Sequence, residues 1–164
     1  MRTQPVVCML TSRGEIVIEL QPQDAPITST NFLRYVDAQF YNNTLIHHIE
    51  SDFVFQGGRY SPGGIYKPPL FPNIRLEDLS TLTNARGMVS MARGDAYDSA
   101  NAQWFVNVRN NPGLDGTRAQ RGYAPFGWII SGLPVVDAIK VEPVYPGTSL
   151  PRTEVLVYWV KRAN

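Results

Sequence analysis

Short apolar runs broken by tight turns constrain this chain more than any other feature. The strand-like stretches are Val6–Thr11, Glu15–Leu20, Leu45–Ile49, Phe53–Gln56, Met88–Arg93, Trp104–Asn107, Phe126–Ile130 and Val155–Lys161. In the second, Ile16, Ile18 and Leu20 alternate with Glu15, Val17 and Glu19, the period of a strand with one buried face. Ser12-Arg13-Gly14 reads as a hairpin turn, with Gly14 supplying a positive φ. The chain carries 13 Gly and 13 Pro in 164 residues, a turn density that leans toward a β-rich fold.

Two segments change period. Across Pro26–Ala38, Phe32, Tyr35 and Val36 are spaced as on one stripe of a helix. Pro26 suits a first turn, where its missing N–H costs nothing, and Asp24 adds a favourable negative charge at that end. Leu133–Lys140 repeats the pattern with Val135, Val136 and Ile139, and Pro134 stands near its start. Seven or eight strands with two helices suggest an all-β closed antiparallel barrel capped by helices, because closure removes exposed edges. Pattern alone ranks a β-sandwich nearly as high.

The chain reads as one domain, residues 1–164, without repeat or linker. A chain of this size buries roughly 70% of its unfolded surface, so one core holds it without staples. A net charge of +1 and no basic run give no electrostatic case for nucleic acid. The longest apolar stretch, Val155–Val160, is far short of the roughly 20 residues a membrane span needs. Met1–Pro5 runs straight into the first strand without the pattern of a signal peptide, and the compartment stays open between cytoplasm and periplasm. Cys8 is the only cysteine, which excludes an intrachain disulfide and a Cys-based zinc site; it reads as a small buried hydrophobe.

Four stretches carry a resemblance to a known family. Asn31-Phe32 leads to Phe40-Tyr41-Asn42-Asn43-Thr44. Ile46-His47-His48-Ile49 is followed by Phe53-Val54-Phe55-Gln56-Gly57-Gly58. Asn84 through Arg93 is followed by Ser99 through Asn107, and Leu114-Asp115-Gly116 by Tyr123-Ala124-Pro125-Phe126-Gly127. In order and spacing, along nearly the whole chain, these resemble the cyclophilins, above all their bacterial members.

That resemblance implies an eight-stranded antiparallel barrel closed by two helices, with a peptide groove on its outer face. It implies an isomerase of X–Pro bonds whose partners are proline-containing segments of unfolded or loop regions. By position the groove uses Phe53, Val54 and Gln56 from one strand, Ala92 and Arg93 from the Met-Ala-Arg stretch, Gln103 and Phe105 from the strand after it, and Leu114 and Tyr123 around the proline pocket. The family's catalytic arginine falls on His48, where this chain departs from the pattern. It departs again at Gly113, where the family carries Trp or another aromatic, at Tyr123 for a frequent His, and at Val54 for Met. Phe53, Gln56 and His48 are the expected catalytic residues.

Such a reaction needs no cofactor, nucleophile or bond cleavage. The barrier to rotation, about 18–20 kcal/mol, arises from C–N double-bond character. A catalyst binds the twisted amide better than either planar form. An apolar pocket holds the ring, amides such as Gln56 fix the flanking backbone, and a cation or N–H satisfies the freed nitrogen lone pair. Arginine suits that last role as a permanent charge with a rigid fork of donors. Imidazole, with an ordinary pKa of about 6.5, is mostly neutral at pH 7 and gives one N–H. Losing one preorganised donor commonly costs roughly a hundred- to a thousandfold in rate. The expectation is therefore reduced activity that rises in acid, with a non-catalytic proline-peptide module as the alternative. Gly113 opens one wall of the pocket, so cyclosporin-like macrocycles are expected to bind weakly. Monomer is the default.

Two strand-parity arguments complete the reading. Successive strand residues face opposite ways, so His47 and His48 are not expected to share a metal ion, and His47 reads as a satisfied, partly buried histidine. The same rule puts Phe53 with Phe55 and against Gln56. Seating Phe53 and Gln56 in one groove then needs a bulge or a strand end. Gln56 and Gln103, amides in otherwise apolar strands, favour function, because a buried amide needs partners.

Overall fold

Alternation lays down the wall of a barrel. A computed structural model describes residues 3–164, so Met1 and Arg2 of the Met1–Pro5 stretch lie outside the described residues. Strands β1 (Val6–Thr11) and β2 (Gly14–Leu20) form the first hairpin, and Gly14 adopts φ +133° at its turn. Then come α1 (Pro26–Asp37), β3 (Thr44–Ile49) and β4 (Val54–Gly57). A small separate hairpin, β5 (Tyr60–Ser61) and β6 (Ile65–Tyr66), precedes β7 (Met88–Met91) and β8 (Trp104–Asn107). The chain ends with β9 (Pro125–Ser131), α2 (Leu133–Lys140) and β10 (Leu156–Arg162). Eight strands close in the order β1-β10-β3-β4-β8-β7-β9-β2, every pair antiparallel. Closure removes the β-sandwich alternative.

Inward positions fill the barrel. Met9, Ile16, Ile18, Ile46, Phe55, Val89, Trp104, Val106 and Phe126 are all buried. Helix α1 adds Phe32, which meets Phe126 at 4.9 Å between ring centroids, and α2 adds Val136 and Ile139. Each such side chain contributes on the order of 1.5–3 kcal/mol through burial. No helix among the described residues is long and apolar enough to cross a membrane.

Three details depart from the sequence reading. The negative charge at the start of α1 comes from Glu77, whose carboxylate accepts from the backbone N–H of Ile27 (3.2 Å) and Thr28 (2.6 Å) and from the Thr28 hydroxyl (2.7 Å). Asp24 instead accepts from the Thr81 hydroxyl. Cys8 is not a core residue: Val7 and Met9 take the inward positions of β1, and Cys8 is partly buried on the outside. Strand β4 begins at Val54, one residue later than its pattern predicts.

Candidate active site

A β-bulge in β3 sets up the outer face. Ile46 pairs with Gly57 and His48 with Gln56, so two steps along β3 match one along β4. The extra residue, His47, shifts the parity. Ile46 and Ile49, three apart, both enter the core, while His47 and His48 are both partly exposed and border one recess with Tyr60 and Ser149. The expectation that the two histidines face opposite ways is therefore corrected. Bulges re-aim side chains in this manner. His47 is also not the satisfied histidine expected: its Nδ1 is buried without a hydrogen-bond partner.

Once His48 faces outward, register builds a row. His48 lies opposite Gln56, Gln56 opposite Phe105, and Phe105 opposite Ser90, so β3, β4, β8 and β7 each place one residue in a row across the barrel wall, whose Phe105 and Ser90 end is covered by loops. The tension over Phe53 resolves at the strand end. Phe53 N–H donates to Glu50 O in a turn, and Phe53 O accepts from Val108 N–H and from Asn111 Nδ2. Held outside the ladder, Phe53 escapes the alternation that buries Phe55.

These residues surround a pocket of about 160 Å³ lined by His48, Phe53, Val54, Gln56, Ala92, Arg93, Phe105, Leu114 and Tyr123. Of the ten residues assigned to the groove, Gln103 alone is not on its wall, and Gly113, expected to open a wall of this pocket, borders a neighbouring recess instead. Gln103 stands beside the pocket, where Gln56 Nε2 donates to Gln103 Oε1 at 2.9 Å. Phe105 and Tyr123 meet edge-on at 5.7 Å. Arg93 lies over the Tyr123 ring at 4.7 Å and donates to Gly122 O and Gly94 O. At His48, Nδ1 is 2.8 Å from Ser149 Oγ, and Nε2 is 3.4 Å from Glu50 Oε2, which is long for a hydrogen bond.

Polar residues to which the sequence reading assigned no role hold this pocket in shape. Asp78 reaches the loop between Leu114 and Tyr123 by accepting from Arg121 (2.6 Å) and from Gly122 N–H (2.6 Å). Burial by itself pushes the Asp78 carboxyl up, but the bonds from Arg121 and Gly122 outweigh it and hold the pKa below the ordinary value. A Cβ at Gly116 would come within 2.2 Å of Asp78 Oδ2, so a side chain there has no room. Behind Phe53 and Leu114 runs a chain of buried amides. Ser90 donates to Asn84, Asn107 to Asn84, Asn111 to Asn107, and Asn84 to Asp115. Buried polar groups satisfied in this way fix one arrangement of the loops they join. Among the described residues no group of three or more His, Cys, Asp or Glu could hold a metal ion.

A family model described as cyclophilin type peptidyl-prolyl cis-trans isomerase/CLD matches residues 6–160. The chain belongs to this family. Similar curated proteins are peptidyl-prolyl cis-trans isomerase A of Dickeya dadantii (36% identical over 97% of this chain and 85% of its own length) and peptidyl-prolyl cis-trans isomerase B of Escherichia coli (41% identical over 82% and 84%). A cyclophilin type isomerase from Cryptosporidium parvum superposes with a TM-score of 0.86 at 23% identity, covering 98% of both chains. The same parasite protein in the presence of the dipeptide Ala-Pro gives a TM-score of 0.85 at 24% identity, covering 97% of this chain and 99% of that one. The cyclophilin barrel is thus established by both its topology and its relatives, and the chain is an isomerase of this family.

Proposed function

We propose that this cyclophilin turns X–Pro bonds of unfolded or loop segments, with the proline ring in the 160 Å³ pocket and His48 as a weak substitute for the family's arginine. The pocket is well below the roughly 300–1,000 Å³ of sites for drug-sized ligands and suits a single small ring. Phe53, Phe105 and Leu114 supply its apolar contact. The pair of Gln56 and Gln103 keeps one amide oxygen and one amide nitrogen uncommitted to each other, a complementary acceptor and donor for extended peptide backbone.

The observation that carries the reading is the row that puts His48 beside Gln56 and Phe105. When the amide twists, its nitrogen gains a lone pair that needs a donor. In the tautomer where the Ser149 hydroxyl donates to Nδ1, the ring proton sits on Nε2, whose nearest acceptor is Glu50 Oε2 at 3.4 Å. One N–H from a shorter side chain replaces a rigid fork of donors, and the rate falls accordingly.

The test is isomerisation of a proline tetrapeptide by the wild type and by His48→Arg. The expected result is measurable acceleration by the wild type and a gain of about a hundredfold in the variant at unchanged affinity. Peptide binding without any acceleration by the wild type assigns a binding module instead.

A further inference from the structure

Next to the proline pocket lies a much larger recess, about 790 Å³, that shares Phe53 and Leu114 with it. Gly113 opens it. A Cβ built on this residue meets nothing within 4 Å among the described residues, so the space immediately beside the 3₁₀ turn Pro112–Leu114 is open. The recess has apolar lining in Ile49, Pro112 and Val144 and charge in Glu50, Asp52 and Arg109. Asp52 and Arg109 pair at 3.1 Å, and Glu50 has a carboxylate oxygen 3.4 Å from His48 Nε2.

We propose, on the reading that the small pocket holds a substrate proline, that this recess is a specificity subsite for an aromatic side chain flanking that proline. Size and chemistry select the occupant. The two cavities share walls, so a residue adjoining the proline, one Cα step of about 3.8 Å away, reaches the recess. An aromatic side chain buries about 150–250 Å² and gains most from an uncovered apolar hollow. Phe53, partly exposed and lining both cavities, offers it a ring to pack against. The Glu50 carboxylate gives an acceptor for an indole N–H or a phenol O–H. The substrate thereby supplies a wall that the protein leaves open.

The experiment uses short blocked peptides with alanine on both sides of proline, and the same peptides with Trp, or with Lys, placed directly before or directly after it. Affinity comes from chemical-shift titration and turnover from exchange spectroscopy. Trp on one of the two sides is expected to tighten binding about tenfold over alanine. In Gly113→Phe, whose added side chain has free space to occupy, the Trp-over-alanine ratio is expected to collapse to within about twofold. A melting curve and amide spectrum confirm that this variant folds. Equal binding of Trp and alanine peptides on both sides overturns the subsite, as does a stronger gain from Lys, or a ratio that Gly113→Phe leaves intact. Turnover of the all-alanine peptide with a flat ratio sinks the subsite alone. Failure of every peptide to bind or turn over sinks the isomerase reading together with it.

Discussion

The Ser149 hydroxyl stands 2.8 Å from Nδ1 of His48, joining residues 101 apart in the chain. Ser149 also accepts from Ile49 N–H through its carbonyl, so the loop before β10 is tied to β3 at two successive residues. On the proposed role of His48, Ser149 is a positioning residue whose effect passes through the imidazole. Ser149→Ala is expected to lower kcat by roughly three- to tenfold with KM unchanged, since one neutral hydrogen bond is worth about 0.5–1.5 kcal/mol. In a His48→Arg background the same change is expected to be silent. A loss of equal size in both backgrounds would mean that Ser149 acts on the fold and not on the ring.

Gln103 sits off the pocket wall, yet it accepts the bond that orients Gln56. Gln103→Leu leaves the Gln56 amide free to rotate and removes one partner for peptide backbone. Steady-state kinetics on a proline tetrapeptide are expected to show KM rising about tenfold while kcat moves by less than threefold, as for an interaction made equally in ground and transition states. Unchanged KM removes the amide pair from the binding surface.

Asp78 anchors the loop that presents Leu114 and Tyr123. Its side chain is fully buried, and Arg121 is about one quarter exposed. Asp78→Ala strands the buried Gly122 N–H and releases Arg121 to solvent, a loss of about 2–3 kcal/mol for a charge-assisted site. Denaturant unfolding is expected to show that loss together with weaker peptide binding. The carboxyl is held below its ordinary value in the folded chain, so its stabilising contribution is complete above the unfolded value near 3.9 and disappears as pH falls through the lower folded one. A variant as stable as the wild type at pH 7 contradicts the anchoring role.

The barrel was legible because its strands obey a period of two and its helices a stripe. Ile16, Ile18 and Leu20 declare an inner face whatever lies opposite. The candidate site was legible by resemblance, since Phe53, Gln56, Phe105 and Leu114 occur in stretches whose order matches the family, and they line one pocket. What stayed hidden depends on pairing. The bulge at His47 shows only as a mismatch between β3 and β4, and no local pattern within Ile46–Ile49 announces it. Glu77 and Asp78, adjacent in a stretch without regular structure, anchor α1 and the Leu114–Tyr123 loop respectively through contacts spanning more than forty residues. A carboxylate in a loop reads as solvated until its distant partners are in place.

His47 gives the pH dependence of folding that follows from that bulge. Its ring stands edge-on to Tyr60 at 5.0 Å, and its Nδ1 is buried without a partner. Burial, then the charges of His48 and Arg59, lower its pKa from 6.5 to about 4. As pH falls below about 6.5 the unfolded chain takes up a proton that the folded chain refuses until about pH 4. Stability contributed by the neutral ring is thus present above pH 6.5 and lost across that window, by on the order of 2–3 kcal/mol. His47→Phe keeps a ring against Tyr60 and removes the titration. Denaturant unfolding at pH 7, 5.5 and 4.5 is expected to show wild type losing stability faster than the variant, with the difference between them growing toward pH 4.5. Parallel curves for the two proteins would place the acid sensitivity elsewhere in the barrel.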